Sequence, residues 1–284
     1  TNYTLMKSKL ILFLVLNICL FGVVNNLLAQ NPEAKLGWKL GAQAYTFNRF
    51  TFFEAIDKID SCGLKYVEAY PGQAIGGGIE GKMDYHMDAA KRTKILQRLK
   101  EKGIKMVSYG VVNAKGDADW LQLFEFGKAM GLENFTSEPD VKDIPLISKL
   151  CDQFKINLAI HNHPQPSPYW NPDILFSAIQ GQSKRVGSCA DIGHWVRSGL
   201  DPIESLKKLE GHVIQLHVKD LNEKNKKEAH DVHWGTGVSN IDGVIKELKR
   251  QRFKGLLSVE YEHNWYNNVP DVTESVNYFR RAVK

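Results

Sequence analysis

Cysteine is scarce in this chain, which contains four such residues among 284. Cys19 lies in an apolar N-terminal stretch, while Cys62, Cys151 and Cys189 are far apart in sequence. An odd number of widely spaced cysteines is not the pattern of a disulfide framework. We therefore exclude a disulfide-stabilised fold and expect the last three cysteines to be buried thiols that pack as small hydrophobic groups.

Clustered charge of one sign is also missing. The formal net charge is +5, and the densest basic run, at residues 224–227, includes an asparagine and is flanked by Glu223 and Glu228. Such a mixed run is typical of a solvated loop. Nothing in the composition therefore favours nucleic-acid binding.

A dinucleotide-binding fingerprint is absent as well. No Gly-x-Gly-x-x-Gly follows the first predicted strand. The glycine triplet at residues 76–78 is not that motif, because no strand lies directly before it and no helix directly after it. The sequence thus disfavours a dinucleotide-binding domain, and we predict that the glycine-rich residues 71–81 form a flexible active-site loop.

A long apolar run is present at residues 10–24, after a basic start that contains Met6. The small residue Ala29 follows this run and offers a cleavage site for signal peptidase. The pattern therefore predicts a signal peptide within residues 1–29. Residues 1–5 precede Met6 and are interpreted as a translation-start artefact. An uncleaved membrane anchor is the alternative, although the run is short for a membrane span. We expect an exported protein, periplasmic or secreted, with no membrane attachment after cleavage.

From residue 30 onward, apolar segments alternate with helical patterns. Helices closed by glycine, such as Gly63, separate the apolar segments. Eight β-then-α units, in a length close to the roughly 250 residues of a typical barrel, indicate a (β/α)8 TIM barrel in the α/β class. We therefore predict one barrel domain over residues 30–284. The predicted strands are residues 39–45, 66–70, 105–111, 134–138, 157–161, 186–191, 212–217 and 255–261.

The last four of these strands end in acidic or imidazole side chains. They are His161, Asp191, His217 and Glu260. The carboxyl ends of barrel strands are where this architecture builds active sites. Asp, Glu and His are also common ligands of divalent cations. The sequence therefore predicts an active site with a metal ion at this end of the barrel.

With these residues in this order, the chain resembles the xylose isomerase-like TIM-barrel superfamily. That superfamily includes sugar epimerases, inosose dehydratases and isomerases, and the endonuclease IV type of DNA-repair enzyme. The resemblance covers essentially the whole mature chain, and its motifs lie at residues 41–47, 63–68, 217–220, 231–237 and 260–262. Each motif is short, but their order and their uniform position at strand ends make the combination specific.

The resemblance implies a metal site in which Asp191, His217 and Glu260 match three ligands. The usual fourth ligand is a glutamate that ends strand five, where this chain has His161. Either Glu138, which ends strand four, or a histidine of the segment 161–163 would complete the site. A mixed nitrogen and oxygen site suits one divalent ion of Mn²⁺, Zn²⁺, Co²⁺ or Fe²⁺ better than Ca²⁺.

Such a site supports proton abstraction next to a carbonyl, because a divalent cation stabilises the enediolate that forms. Each candidate for a catalytic or binding role in this reaction could instead make a structural hydrogen bond. The aromatic residues in the predicted loops favour a carbohydrate ligand, because aromatic rings pack against the C–H faces of sugars. The candidates for acid, base or oxyanion-binding roles are His163, His194, Lys219, His233 and Glu262. The candidates for substrate binding are Tyr45, Glu68, His161, Trp195 and Asp231.

These observations predict a metal-dependent isomerase or epimerase whose partner is a small carbohydrate, expected to be unphosphorylated in an exported protein. Two alternatives stay open: a lyase that eliminates the aglycone from 3-keto-glycosides, and a non-catalytic sugar-binding barrel. A DNA-repair endonuclease is disfavoured, because strands two to four lack the histidine ligands of its metal cluster. The sequence leaves open the sugar, the metal and whether the chain forms a homo-oligomer.

Overall fold

The computed structural model describes residues 31–284, and a closed barrel of eight parallel strands lies at its centre. Each strand pairs with the next one along the chain, and β8 closes the barrel on β1, with Leu40 beside Leu257. The predicted (β/α)8 barrel is confirmed, while the predicted signal peptide lies outside the described residues. The strands are β1 Trp38–Gln43, β2 Tyr66–Ala69, β3 Lys105–Tyr109, β4 Asn134–Ser137, β5 Asn157–His161, β6 Val186–Asp191, β7 Val213–Val218 and β8 Gly255–Val259.

Helices follow the strands and surround the barrel. The first begins with a capping box, in which the Thr51 side chain accepts a hydrogen bond from the Glu54 backbone and Glu54 accepts one from the Thr51 backbone at 2.8 Å. The second and third end at Gly103 and Gly131, both in the left-handed conformation that favours glycine. The α-helices are α1 Phe52–Ser61, α2 Ala89–Lys102, α3 Asp117–Met130, α4 Ile144–Phe154, α5 Pro172–Ala178, α6 Ile192–Arg197, α7 Pro202–Lys208, α8 Ile241–Arg250 and α9 Val269–Val283.

Helix α6 is an element that the sequence pattern did not predict. It begins directly after β6, where the Asp191 carboxylate accepts a hydrogen bond from the His194 backbone N–H at 2.7 Å and so caps the helix. A predicted strand-end aspartate is thereby also a helix cap. The helix carries His194, Trp195 and Arg197 past the end of the barrel.

The glycine-rich segment after β2 forms a β-hairpin. Residues Ala74–Gly76 and Ile79–Lys82 pair antiparallel, and Gly77 and Gly78 connect them with φ of 61° and 76°. Two successive positive φ values are the requirement of a type I′ hairpin turn. The hairpin packs on α1, because a Cβ at Gly77 would meet the Phe53 ring at 2.6 Å. Most of the predicted loop at residues 71–81 is therefore a regular hairpin.

Other features of the described chain agree with the sequence analysis. Cys62, Cys151 and Cys189 are free and buried. The mixed charged run around residues 224–227 is exposed. Among residues 31–284, no helix has both the length and the apolar character needed to cross a membrane.

Candidate metal centre and active site

Four polar side chains from the carboxyl ends of neighbouring strands converge at one point. They are His161 from β5, Asp191 from β6, His217 from β7 and Glu260, which directly follows β8; one ligand atom from each lies within 4.8 Å of the others. His217 Nδ1 is 3.0 Å from Glu260 Oε2, and His161 Nε2 is 3.6 Å from Asp191 Oδ2. Parallel pairing of adjacent strands brings their ends to one rim, as the sequence predicted.

The atoms that face this point have no hydrogen bond of good geometry. They are His161 Nε2, Asp191 Oδ2, His217 Nδ1 and Glu260 Oε2, all buried, and the Lys219 ammonium lies near the two carboxylate oxygens as an ion-pair partner. Buried polar atoms normally have hydrogen-bond partners, so four such atoms at one point require an explanation. Two imidazole nitrogens and two carboxylate oxygens are a donor set that fits a divalent metal ion.

Two further carboxylates orient the histidines of this group. Glu68 Oε2 is 2.9 Å from His217 Nε2, and Glu138 Oε1 is 3.0 Å from His161 Nδ1. A carboxylate accepts the ring N–H, so the other ring nitrogen keeps its lone pair for a metal ion. The geometry thus places His161 in the convergent group and Glu138 outside it, in a second group with His161 and His163 whose ligand atoms also lie within 4.8 Å of one another.

The position of Glu68 corrects the prediction that it binds substrate. The side chain is completely buried inside the barrel. Besides His217, it accepts hydrogen bonds from Thr136, from Gln215 Nε2 at 2.8 Å and from Ser258 Oγ at 3.3 Å. Because protein donors occupy both carboxylate oxygens of Glu68, this side chain is not available to bind a substrate.

A second group forms around Glu138. Its Oε1 accepts hydrogen bonds from His161 and from both the ring and the backbone N–H of His163, and its Oε2 accepts one from Ser167 Oγ at 2.9 Å. Burial opposes ionisation, but these histidines hold the pKa of Glu138 well below its ordinary value. His161 and His163 lie on one face as predicted, with ring centroids 4.5 Å apart.

Lys219 lies between the convergent group and Glu262. Its completely buried ammonium is 3.1 Å from Asp191 Oδ2, 2.9 Å from Glu260 Oε2 and 3.1 Å from Glu262 Oε2. Burial alone would lower the pKa of Lys219, but the surrounding carboxylates hold it well above the ordinary value. Lys219 is therefore a fixed positive charge at this site.

Arg197, which the sequence analysis missed, connects three predicted residues. It is 3.3 Å from Glu262 Oε2 and 3.3 Å from Asp231 Oδ2, and its Nη1 donates to His194 Nδ1 at 3.1 Å. Arginine and lysine only donate, and the Lys219 ammonium lies 3.5 Å from the other ring nitrogen, Nε2, so the buried His194 lies between two cations and is neutral. Burial, with help from Lys219, lowers the pKa of His194 well below its ordinary value, which agrees with a neutral ring.

Asp231 is enclosed behind this network. Its exposed fraction is 1%, and burial raises its pKa to about 7, although Lys219 and Arg197 oppose the shift. The prediction that Asp231 binds substrate directly is not supported, because Arg197 and the backbone of Glu262 occupy its Oδ2.

Two other predicted residues lie away from the reacting groups. Trp195 is completely buried in the hydrophobic core, since α6 directs it inward, and it does not contact the cavity. His233 lies in a loop held by Asp220, which accepts backbone hydrogen bonds from Gly235, Gly237 and Ser239, each at 2.9 Å. His233 does not line the cavity either, so its predicted acid–base role is not supported.

A cavity of about 440 Å³ opens onto the convergent group. Such a volume suits a small-molecule ligand. One side consists of metal-centre and acid–base candidates, and the other consists largely of residues from the loops after β1, β2 and β3. Apart from Tyr45 and Pro71, which begins the predicted active-site loop, the sequence analysis missed the residues of the second side, because nothing in the local pattern marks them. The first side is His161, His163, His194, Glu260 and Glu262, and the second is Gln43, Tyr45, Tyr70, Pro71, Gly110 and Val111.

Fold and site together define a (β/α)8 barrel with a buried group of two histidines and two carboxylates that could bind a metal ion at the carboxyl ends of its strands. The family model described as "xylose isomerase-like TIM barrel" matches residues 141–282. The chain belongs to this family. A search of curated proteins finds no significant match.

Solved structures share the whole barrel. An uncharacterised protein from Parabacteroides distasonis ATCC 8503 is 32% identical, with a TM-score of 0.72 over 86% of this chain and 99% of that one. A D-tagatose 3-epimerase-like protein is 15% identical, with a TM-score of 0.68 over 86% and 97%. The IOLI protein, solved with a zinc atom, is 16% identical, with a TM-score of 0.67 over 86% and 98%. At 15% and 16% sequence identity, the last two structures show that the fold is shared.

Proposed function

We propose that this protein is a divalent-metal-dependent isomerase or epimerase that abstracts a proton next to a carbonyl of a carbohydrate. The observation that carries the proposal is the convergence of four buried atoms of His161, Asp191, His217 and Glu260 that have no hydrogen bond of good geometry. A bound Mn²⁺, Zn²⁺, Co²⁺ or Fe²⁺ ion would supply Lewis-acid stabilisation of an enediolate. The epimerase-like and zinc-bound proteins of the same fold are consistent with this chemistry.

His163 is the proposed base. Its ring lines the cavity, and its side chain is 51% exposed. The Glu138 carboxylate accepts the proton of His163 Nδ1, so the neutral ring presents Nε2 as a free proton acceptor. The backbone N–H of His163 also donates to Glu138 at 3.0 Å, which fixes the ring in one orientation.

His194 and Glu262 are proposed to serve the substrate oxygens and the returning proton. The neutral His194 ring lies in the cavity wall, with the Lys219 ammonium 3.5 Å from its Nε2. Lys219 itself is buried and does not line the cavity, so its predicted role toward the substrate is not supported; it instead compensates the charge of Glu262 at 3.1 Å. Glu262 lines the cavity with 23% of its side chain exposed and could exchange a proton with the substrate.

We propose that the sugar is unphosphorylated and that the protein is exported. Among the described residues, the lining of this cavity contains no lysine or arginine, whereas Glu260 and Glu262 both face it. A phosphate dianion would meet these carboxylates, and the nearby cations Lys219 and Arg197 lie outside the lining and are already paired with them. The apolar run at residues 10–24 supports export, because it follows the pattern of a signal peptide.

Metal analysis combined with hydrogen exchange in D₂O tests the proposed function. The wild-type protein, His163→Gln and the matched control His233→Gln would be loaded with Mn²⁺ or Zn²⁺ and incubated with a panel of free sugars and 3-keto-glycosides. We expect about one equivalent of metal in all three proteins, because neither histidine belongs to the group of His161, Asp191, His217 and Glu260. Deuterium uptake should fall by roughly 10²-fold or more in His163→Gln and persist in His233→Gln.

The outcomes separate the alternatives. A deuterated isomer or epimer supports the proposal, whereas aglycone release from a 3-keto-glycoside would replace it with the lyase reaction. Bound metal without deuterium uptake from any substrate would indicate a sugar-binding barrel. Absence of metal from the wild-type protein would refute the metal-dependent function.

A further inference from the structure

An aromatic cluster of Tyr45, Tyr70 and Trp265 lies beside the cavity, and two of its members, Tyr45 and Tyr70, line the cavity. The Tyr45 ring centroid lies 5.1 Å from that of Tyr70 at 77° and 6.0 Å from that of Trp265 at 90°. The three residues follow β1, β2 and β8, so three separate loops build the cluster. Edge-to-face contacts of this kind are favourable and hold the rings in fixed positions.

The cluster also presents polar groups that the protein does not use. Within residues 31–284, the hydroxyls of Tyr45 and Tyr70 make no hydrogen bond, and the side chain of Tyr45 is accessible, at 39% exposure for the residue. The Arg49 guanidinium lies 5.6 Å from the Trp265 ring centroid and donates no hydrogen bond in the described chain. Aromatic rings thus stand beside hydroxyl and guanidinium donors from which no group of the described chain accepts.

We propose that this aromatic cluster is a subsite for a second sugar ring, so that the substrate is a glycoside of linked sugars rather than a free monosaccharide. This inference rests on the proposed function, which places the reacting sugar at the metal centre. The two sides belong to one cavity, lined at one end by His163, Glu260 and Glu262 and at the other by Tyr45 and Tyr70. A ligand with two rings would reach both.

The chemistry of the cluster selects a sugar over a purely apolar group. A pyranose has C–H faces that pack on aromatic rings and a rim of hydroxyls that accept and donate hydrogen bonds. It would therefore pair with the tyrosine hydroxyls and with Arg49. An apolar occupant would exclude water from the same groups without pairing them, which carries a desolvation cost.

Binding of mono- and disaccharides tests the subsite. Isothermal titration of the metal-loaded full-length protein would compare glucose, galactose, mannose and fructose with cellobiose, maltose, lactose and lactulose. We expect at least one disaccharide to bind roughly tenfold more tightly than its component monosaccharides. Tyr45→Ala should abolish this difference, and so should Trp265→Ala, because it removes a ring that packs on Tyr45.

Tyr266→Ala is the matched control, because Tyr266 is 76% exposed, neighbours Trp265 in sequence and does not line the cavity. It should keep the preference for the disaccharide. Equal binding of mono- and disaccharides by the wild-type protein would overturn the subsite while leaving the proposed function intact. Absence of binding by any sugar, with metal bound, would overturn both. Metal content in each variant shows that the barrel has folded.

Discussion

Replacing Glu68 by glutamine should weaken metal binding without unfolding the barrel. Glu68 is completely buried and accepts the Nε2 proton of His217 at 2.9 Å. That contact fixes the tautomer in which His217 Nδ1 faces the other three ligand atoms. Loss of such a partner behind a metal-binding histidine costs 10–100-fold in affinity, or roughly 1.4–2.7 kcal/mol.

Glutamine is chosen because the surroundings can accommodate it. Its amide oxygen can accept from Gln215, His217 and Ser258, where Glu68 Oε2 does now. Its NH₂ group would then face the hydroxyl of Thr136, which can rotate to become the acceptor. The variant therefore removes the negative charge and keeps the hydrogen-bond pattern, so we expect the lower half of that range, about tenfold.

Calorimetric titration of the metal-free proteins with Zn²⁺ or Mn²⁺ measures the effect. Glu133→Gln is the matched control, because Glu133 is exposed and pairs with Lys39 at 2.6 Å outside the cavity. The control should bind metal with wild-type affinity. A dissociation constant for Glu68→Gln within twofold of the wild-type value would refute the reasoning, since Glu68 would then not influence His217 as a ligand.

Three further predictions concern the charges, the loop and the N-terminus. Lys219→Met should lower the free energy of unfolding of the metal-free protein by about 3–5 kcal/mol, because it leaves the buried carboxylates uncompensated. Added Zn²⁺ should then raise its melting temperature more than that of the wild type, and equal rises would contradict this account. Asp220→Asn should cost about 1–3 kcal/mol in urea unfolding, since one backbone N–H of the loop loses its acceptor; an unchanged midpoint would show that Asp220 does not hold the loop. Protein purified from the periplasm of a Gram-negative host should begin at Gln30, whereas retention of residues 10–24 in the membrane fraction would favour the anchor.

Much of the site could be predicted because strand order fixes it. In a parallel barrel every strand ends at the same rim, so side chains that close successive apolar segments meet there whatever the details of packing. This is why His161, Asp191, His217 and Glu260 come together as their positions in the sequence indicate. The strand bounds differ from prediction by a few residues, for example at β1, which ends at Gln43 before a 3₁₀ turn.

The roles of other residues depended on contacts that local sequence does not encode. Helix α6 is too short to give a periodic pattern, yet it turns Trp195 into the core and aims Arg197 at Glu262. Glu138, a candidate ligand from its position in the sequence, lies outside the convergent group and accepts hydrogen bonds from two histidines.

The sequence by itself thus determined the barrel and the chemical type of the residues at its rim, because apolar periodicity and strand order are properties of the chain. Only the tertiary structure decided which side chains reach the cavity and which lie behind it. Glu68 and His217 are 149 residues apart and meet across the barrel interior. The tilt and stagger of the strands set the depth of each inward side chain, and closure of the whole sheet determines that depth.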